Sequence, residues 1–369
     1  MKSKKTFSKV KKTTLRIIVA TLAILLALSM VVAGVARGQA TQAMGKATKP
    51  TSGTLYQTSA RAMATIEMTS GRILYSKNAQ ARVPMASTTK ILTAISVIES
   101  VKDLDEVVKI HDKAIGVEGT SIYLQKGEKL TVRELLYGLM LRSGNDCSVA
   151  LAYHVSGGVE DFAKLMNATA KKAGAVNSNF VNPHGLDEEG HLTTAMDLAK
   201  ISAYAMRNND FAKIVATKDI TISGPEYKRP LQNKNRLLRS NSQVIGVKTG
   251  FTSKAGRCYV GAMQEDNMTV ICVVLNCGPM FPESETLMTK ALDEFYMHKV
   301  LATDTLIEPT KEEDGNRRGM VENDFYFPLR DGEIDCISIY TDGDGNVNVF
   351  FKENIVHTEK LKDFWTIAS

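Results

Sequence analysis

The chain has 369 residues, 44% hydrophobic and 23% charged, with a formal net charge of +6. That length and apolar fraction suffice for a sizeable core and more than one domain. The charge is local: residues 1–40 hold eight Lys/Arg and no acid, so residues 41–369 carry 38 basic against 40 acidic side chains and present no basic footprint for nucleic acid.

The basic start leads into Ile17 to Val35, nineteen residues in which only Thr21, Ser29 and Gly34 are not apolar. This is the layout of a signal peptide or an N-terminal membrane anchor over residues 1–40. The spanning length favours retention, whereas the small residues of Gly38-Gln39-Ala40 favour cleavage. In either case the positive charge stays cytoplasmic and the remainder crosses the membrane. Residues 41–58 read as a polar linker.

Ala62–Glu67 and Arg72–Ser76 read as a hairpin around Thr69-Ser70-Gly71. After Pro84, the residues Ile91, Ala94, Ile95, Ile98 and Val101 recur at helical spacing, predicting a helix opened by Ser87 and Lys90 and ending near Ser100. Thr131 and Glu134 form a capping box for a helix that runs to about Arg142. Ser143-Gly144-Asn145 is a turn, and helices follow at Asp146–His154, Phe162–Lys172 and from Thr193 or Thr194 to about Asn208. Extended segments are expected at Ile220–Ser223, Gln243–Lys248, Arg257–Gln264 and Met268–Asn276, then a helix from Glu283 to Leu301. Beyond Ala302, turn-rich sequence and short alternating runs predict a small β-rich unit over 302–369.

The five cysteines are odd in number and widely spread, with no C-x-x-C, which argues for free thiols and against zinc. Cys272 and Cys277, five apart on an apparent strand, are expected on opposite faces.

The chemistry gathers at Ser87 and Lys90. Residues three apart share a helical face, and a desolvated lysine can activate a serine. Such a pair is weak alone, since Ser8 and Lys11 repeat it in the basic tail. Two further motifs raise it: Ser143-Gly144-Asn145 on a helix–helix turn, and Lys248-Thr249-Gly250 at the end of a strand. This trio marks serine acyl-transferases that open β-lactams or peptides. The N–H of Ser87, at a helix N-terminus, is free to face an oxyanion. Burial and the nearby charge of Lys248 would keep Lys90 neutral. Ser143 can relay a proton to the leaving amine, and Asn145 can grip a substrate amide. Lys248 and Thr249 offer a charge and a hydroxyl to a carboxylate. Gly250 lets a substrate strand approach.

With these residues in place, the chain from about Ser59 resembles the low-molecular-weight penicillin-binding proteins, the serine-type D-alanyl-D-alanine carboxypeptidases. Asn182-Pro183-His184-Gly185-Leu186-Asp187 and His191-Leu192-Thr193-Thr194-Ala195 add to the likeness. The resemblance implies an α/β (α+β) penicillin-binding-protein/β-lactamase-like catalytic domain over 59–301, an antiparallel sheet flanked by helices plus a helical subdomain, and then a small β-rich C-terminal domain. It implies peptidoglycan stem peptides as substrates, acylation of Ser87, β-lactams as inhibitors and no cofactor or metal. The oxyanion hole would be the N–H groups of Ser87 and Phe251. The site would work on the extracytoplasmic face of a bacterial membrane or in the cell-wall space. Many relatives attach through a C-terminal amphipathic helix, absent from this sequence, which shifts attachment to the N-terminal segment.

Two other readings stay open here. A class A β-lactamase shares the trio but needs a glutamate-activated water, usually in Glu-x-x-Leu-Asn, and no such stretch lies between Ser143 and Lys248. A membrane-tethered sensor would be acylated without turnover. His184 and His191 read as loop-shaping residues because a lysine base is already present. Asp342-Gly343-Asp344-Gly345-Asn346 mimics a calcium loop, yet Val347 stands where that loop needs glycine, so a hairpin turn is expected.

Overall fold

The computed structural model describes residues 54–55, 57–224, 227–307, 317–342 and 344–366. The N-terminal apolar segment, the Ser8–Lys11 pair and most of the linker lie outside the described residues, as do 308–316 and Gly343. Among the described residues no helix is long and apolar enough to cross a membrane.

In chain order, strands β1 (Thr54–Leu55), β2 (Ala62–Glu67) and β3 (Ile73–Lys77) precede a 3-10 turn at Ala86–Thr89 that opens helix α1 (Lys90–Ser100). The short pair β4 (Val107–Lys109) and β5 (Lys129–Thr131) leads to α2 (Val132–Tyr137), a π turn at Gly138–Arg142, α3 (Asn145–Ser156), α4 (Val159–Lys172), α5 (Ala195–Met206) and α6 (Asn209–Ala216). A hairpin of β6 (Asp219–Gly224) and β7 (Tyr227–Gln232), then α7 (Leu237–Ser240), precede β8 (Val244–Thr252), β9 (Gly256–Glu265), β10 (Met268–Leu275) and α8 (Met280–Glu294).

The main sheet has the order β1-β3-β2-β10-β9-β8, so β8 is an edge. All its pairings are antiparallel except β1 with β3. Helices cover both faces, and β10 is therefore buried throughout, with Thr269 its one polar side chain. Its Ile271, Val273 and Leu275 enter the core shared with α1 and α5, while Val270, Cys272 and Val274 enter the core under α8. Period-two alternation produces this split.

Local chemistry sets the helix ends. Thr131 and Glu134 form the reciprocal capping box expected of them. Thr194 caps α5 through the N–H of Asp197, and Asn208 caps α6 through Asp210 and Phe211. The helix expected to reach Arg142 instead widens into the π turn and ends on Ser143 with φ +66 and ψ +34. Helix α6 and strand β7 were not anticipated: α6 is only eight residues long, and Pro230 in β7 argues against strand.

Two expectations need correction. The helix expected to reach Leu301 stops at Glu294, and Tyr296–Leu301 is strand β11. Its aromatic and branched residues pair with a strand about thirty residues later, and tertiary pairing overrides the helical reading. Cys272 and Cys277 both enter the core beneath α8, because β10 ends at Leu275 and Asn276 turns with φ +51, breaking the alternation. All five cysteines are free thiols, and Cys336 is partly exposed.

The remaining strands are β12 (Leu306–Ile307), β13 (Arg317–Met320), β14 (Phe325–Leu329), β15 (Ile337–Thr341), β16 (Asn346–Phe351), β17 (Asn354–Lys360) and β18 (Lys362–Thr366). They form three small sheets, β11-β14, β12-β13-β18 and β15-β16-β17. Leu301, Val321, Val347, Val349 and Leu361 make a separate small core. Asp342 closes the β15–β16 connection by accepting the N–H groups of Asp344 and Asn346.

Arg72, beside β3, docks this β-rich part against the main sheet. Its guanidinium lies between the rings of Phe295 and Phe327, pairs with Glu333 at 2.7 Å and donates to the Pro328 carbonyl. Arg330 stacks on Phe295 from β14's end and pairs with Glu294, which also accepts from Tyr75. Arg72→Ala takes from the part-buried Glu333 its ion-pair partner, though not the N–H of Arg330, and removes two cation–π contacts. We expect a loss of about 2–4 kcal/mol in urea unfolding. A loss below about 0.5 kcal/mol would show that this docking is not built on Arg72.

Candidate active site

The turn before α1 presents one reachable hydroxyl. Met85, Ala86, Thr88, Thr89 and Lys90 are buried, whereas Ser87 is half-buried. Ala86 has φ +51, a left-handed conformation that costs about 1–3 kcal/mol and persists only where surroundings enforce it. The surroundings are visible. Thr88 and its hydroxyl donate to the Met85 carbonyl, and the Thr89 hydroxyl donates to the Ala86 carbonyl at 2.8 Å.

Two glycines permit the close approaches that hold this turn. A Cβ on Gly185 would lie 2.0 Å from the Ala86 carbonyl oxygen, and φ there is +89. A Cβ on Gly250 would lie 3.0 Å from Ser87 N and 3.1 Å from Met85 O. Gly250, expected to admit a substrate strand, therefore first admits the nucleophile turn against β8.

Lys90 is fully buried beneath Ser87. Its Nζ lies 3.0 Å from Ser87 Oγ, 2.7 Å from Asn145 Oδ1 and 2.5 Å from the His184 carbonyl. Burial first, and then the neighbouring charge of Lys248, pushes its pKa well below that of an ordinary lysine. Asn145 Nδ2 donates to the Glu118 carbonyl at 2.6 Å, which fixes the amide so that its oxygen faces Lys90. Asn145 lies at the start of α3, one residue earlier than expected, and its backbone N–H donates to Thr120 O at 2.7 Å.

In the neutral form of Lys90 the geometry assigns the protons. An amine has two N–H groups and one lone pair. The His184 carbonyl and Asn145 Oδ1 can only accept, so they take both N–H groups. The lone pair is left for the Ser87 hydroxyl.

Ser143 is buried, and its left-handed backbone ends the π turn. Among the described residues its hydroxyl has no hydrogen-bond partner. Lys248 is buried on β8 and donates to its neighbour's carbonyl, Thr249 O, at 2.9 Å. Burial and then the charge of Lys234 lower its pKa to about 7. Thr249 is half-buried, Gly250 buried, and Phe251 exposed. Since β8 is an edge, its outer backbone groups are unpaired within the sheet.

The histidines are structural. His184 Nδ1 accepts from Leu186 N, and burial lowers its pKa to about 3. His191 Nδ1 accepts from Val181 N, its Nε2 lies 2.9 Å from Thr89 Oγ1, and burial lowers its pKa to about 4. Neither contacts the Ser87 hydroxyl.

Three contributors were not foreseen. The His184 carbonyl acts through backbone, which side-chain chemistry does not reveal. Lys234, whose charge bears on both buried lysines, sits in an Asn-Lys-Asn run that reads as a solvated turn. Asp146 accepts from Ser121, Ile122 and Leu124 and ties down the loop that orients Asn145; its place directly after Ser143-Gly144-Asn145 was the available signal.

The family model for D-alanyl-D-alanine carboxypeptidase matches residues 46–278. The chain is 34% identical over 269 residues to the D-alanyl-D-alanine carboxypeptidase DacF of Bacillus subtilis, covering 70% of this chain and 69% of that protein. It is 36% identical over 240 residues to the D-alanyl-D-alanine carboxypeptidase of Streptomyces sp. strain K15, covering 60% of this chain and 82% of that protein. The crystal structure of penicillin binding protein 5 from Haemophilus influenzae superposes with a TM-score of 0.72 at 26% identity, over 87% of this chain and 99% of that one. The fold is that of the penicillin-binding proteins, and the chain belongs to the serine D-alanyl-D-alanine carboxypeptidase family.

Proposed function

We propose that the protein removes the terminal D-Ala from peptidoglycan stem peptides through an acyl-enzyme on Ser87. The observation that carries this reading is the contact set of Lys90: with both amine N–H groups on the Asn145 and His184 oxygens, the neutral side chain turns its lone pair to the Ser87 hydroxyl. Family membership supports the peptide substrate and the binding of β-lactams.

The chemistry follows from the placement of groups. Ser87 Oγ attacks the carbonyl carbon of the penultimate residue as its proton passes to Lys90 Nζ. The oxygen anion that forms is met by the N–H groups of Ser87 and Phe251. Ser143 relays a proton to the departing amine, the C–N bond breaks, and D-Ala leaves. Water then attacks the ester, and the serine recovers its proton. Asn145 orients Lys90, and its second Nδ2 hydrogen remains for a substrate amide. The stem peptide adds as a strand along the open edge of β8, with its terminal carboxylate on Lys248 and Thr249.

A carboxylate beside Lys248 restores the charge that burial weakens. That charge in turn disfavours protonation of Lys90 and so favours the free-amine form that can accept the serine proton. The class A β-lactamase alternative is not favoured, because the family match lies with the carboxypeptidases. The enzyme is assigned to the extracytoplasmic side, where its peptidoglycan substrate is, with residues 1–40 as its leader or anchor.

The direct test measures D-Ala released from a stem pentapeptide. The protein should release one equivalent per peptide and Ser87→Ala none; equal release by both would contradict the assignment.

The pH profile gives a second test. In free enzyme Lys248 loses its proton near pH 7, so kcat/KM should fall as pH rises through about 7. With the substrate carboxylate bound, the ammonium is stabilised, so kcat should hold to a higher pH. Identical alkaline limbs in kcat and kcat/KM would remove Lys248 from carboxylate recognition.

A further inference from the structure

Three segments meet around Ser87, and each pair of them is joined. The Ser87 turn meets the 182–187 loop where the Ala86 carbonyl packs against Gly185 and where Lys90 donates to the His184 carbonyl. The turn meets β8 where Gly250 lies against Ser87 N and Met85 O. A third join links the loop to β8 directly: Thr252 Oγ1 donates to Asp187 Oδ1 at 3.0 Å. It closes a triangle with the nucleophile at one corner.

Both ends of that third join are held. Thr252 is the last residue of β8, and its hydroxyl also accepts the N–H of Ala255 at 3.0 Å, across the turn into β9. One hydroxyl therefore gives its proton to Asp187 and a lone pair to the turn. Asp187 ends a loop fixed from within, since Asn182 accepts from Gly185 N at 2.8 Å and donates to Leu186 O and Glu188 Oε2. Among the described residues, neither side chain bonds Ser87 or Lys90. Each instead follows closely on a group assigned to the chemistry: Thr252 on Phe251, whose N–H faces the oxyanion, and Asp187 on His184, whose carbonyl holds Lys90.

We propose that Asp187 and Thr252 are positioning residues for acyl transfer. Their hydrogen bond sets the end of β8, and with it the Phe251 N–H, against the loop that carries the His184 carbonyl. This rests on the acyl-transfer reading above. Asp187 is exposed, so water competes for the bond and its net contribution to stability is small. Alignment is far steeper, since a misplacement of about 1 Å can cost about a hundredfold in rate. The bond therefore reads out in turnover rather than in melting temperature.

The test is a double-mutant cycle on D-Ala release from a stem pentapeptide. Thr252→Val and Asp187→Ala should each lower kcat roughly fivefold to tenfold with KM held within about twofold, because Lys248 and Thr249 still hold the carboxylate. The double variant should lose no more than either single one. Thr252→Ser and Asp187→Asn, which keep a donor hydroxyl and an acceptor oxygen, should retain kcat within about twofold. An unchanged kcat in Asp187→Ala, losses that multiply in the double variant, or a loss confined to KM overturns the proposal. Asp187→Ala alters an exposed side chain and decides the matter alone where Thr252→Val fails to fold. No D-Ala release by the unaltered protein would instead contradict the acyl-transfer reading itself.

Discussion

A lysine buried without a carboxylate is the constraint on which the site depends. Lys90 is fully enclosed, and enclosing an ammonium without a counter-ion costs several kcal/mol. Burial therefore favours the amine form, and in that form two oxygens that only accept hydrogen bonds take both N–H groups. The reactive direction is what remains. Burial lowers the basicity, and in the amine form the fixed acceptors leave the lone pair toward Ser87.

Much of the surrounding fold serves those acceptors. Thr93 on α1 donates to the Pro183 carbonyl at 2.7 Å, and the Asn182 side chain bonds Gly185 N and Leu186 O. Together they set the His184 carbonyl over Lys90. Asp146 and the 118–124 loop do the same for Asn145. Gly185 and Gly250 let the loop and β8 close on the Ser87 turn from two sides, enforcing the left-handed Ala86. The helical part supplies the base and its acceptors, while the sheet supplies the edge along which a peptide can lie.

How legible this was in the sequence varies with the physics involved. The Ser87 helix, the Thr131 capping box and the strands β8 to β10 announce themselves through periodicity, caps and apolar runs. Ser87, Lys90, Ser143, Asn145 and Lys248 to Phe251 were proposed from three short motifs and the resemblance they carry, and the fold brings Ser87, Lys90, Asn145 and Gly250 close together. What was not legible depends on tertiary context. The His184 carbonyl is backbone, Lys234 acts at a distance through charge, and β11 is strand only because β14 pairs with it. Lys248 was expected simply as a cation; its burial, which lowers its pKa to about 7, is visible only in the folded chain.

The charge state of Lys90 tests the account at its root. Carbon-13 labelling of lysine Cε, with the resonance assigned by Lys90→Arg, reports whether that side chain is an amine or an ammonium in the free protein. The account predicts an amine signal at pH 7, with protonation appearing only on acidification. An ammonium signal that persists above pH 9 would contradict it.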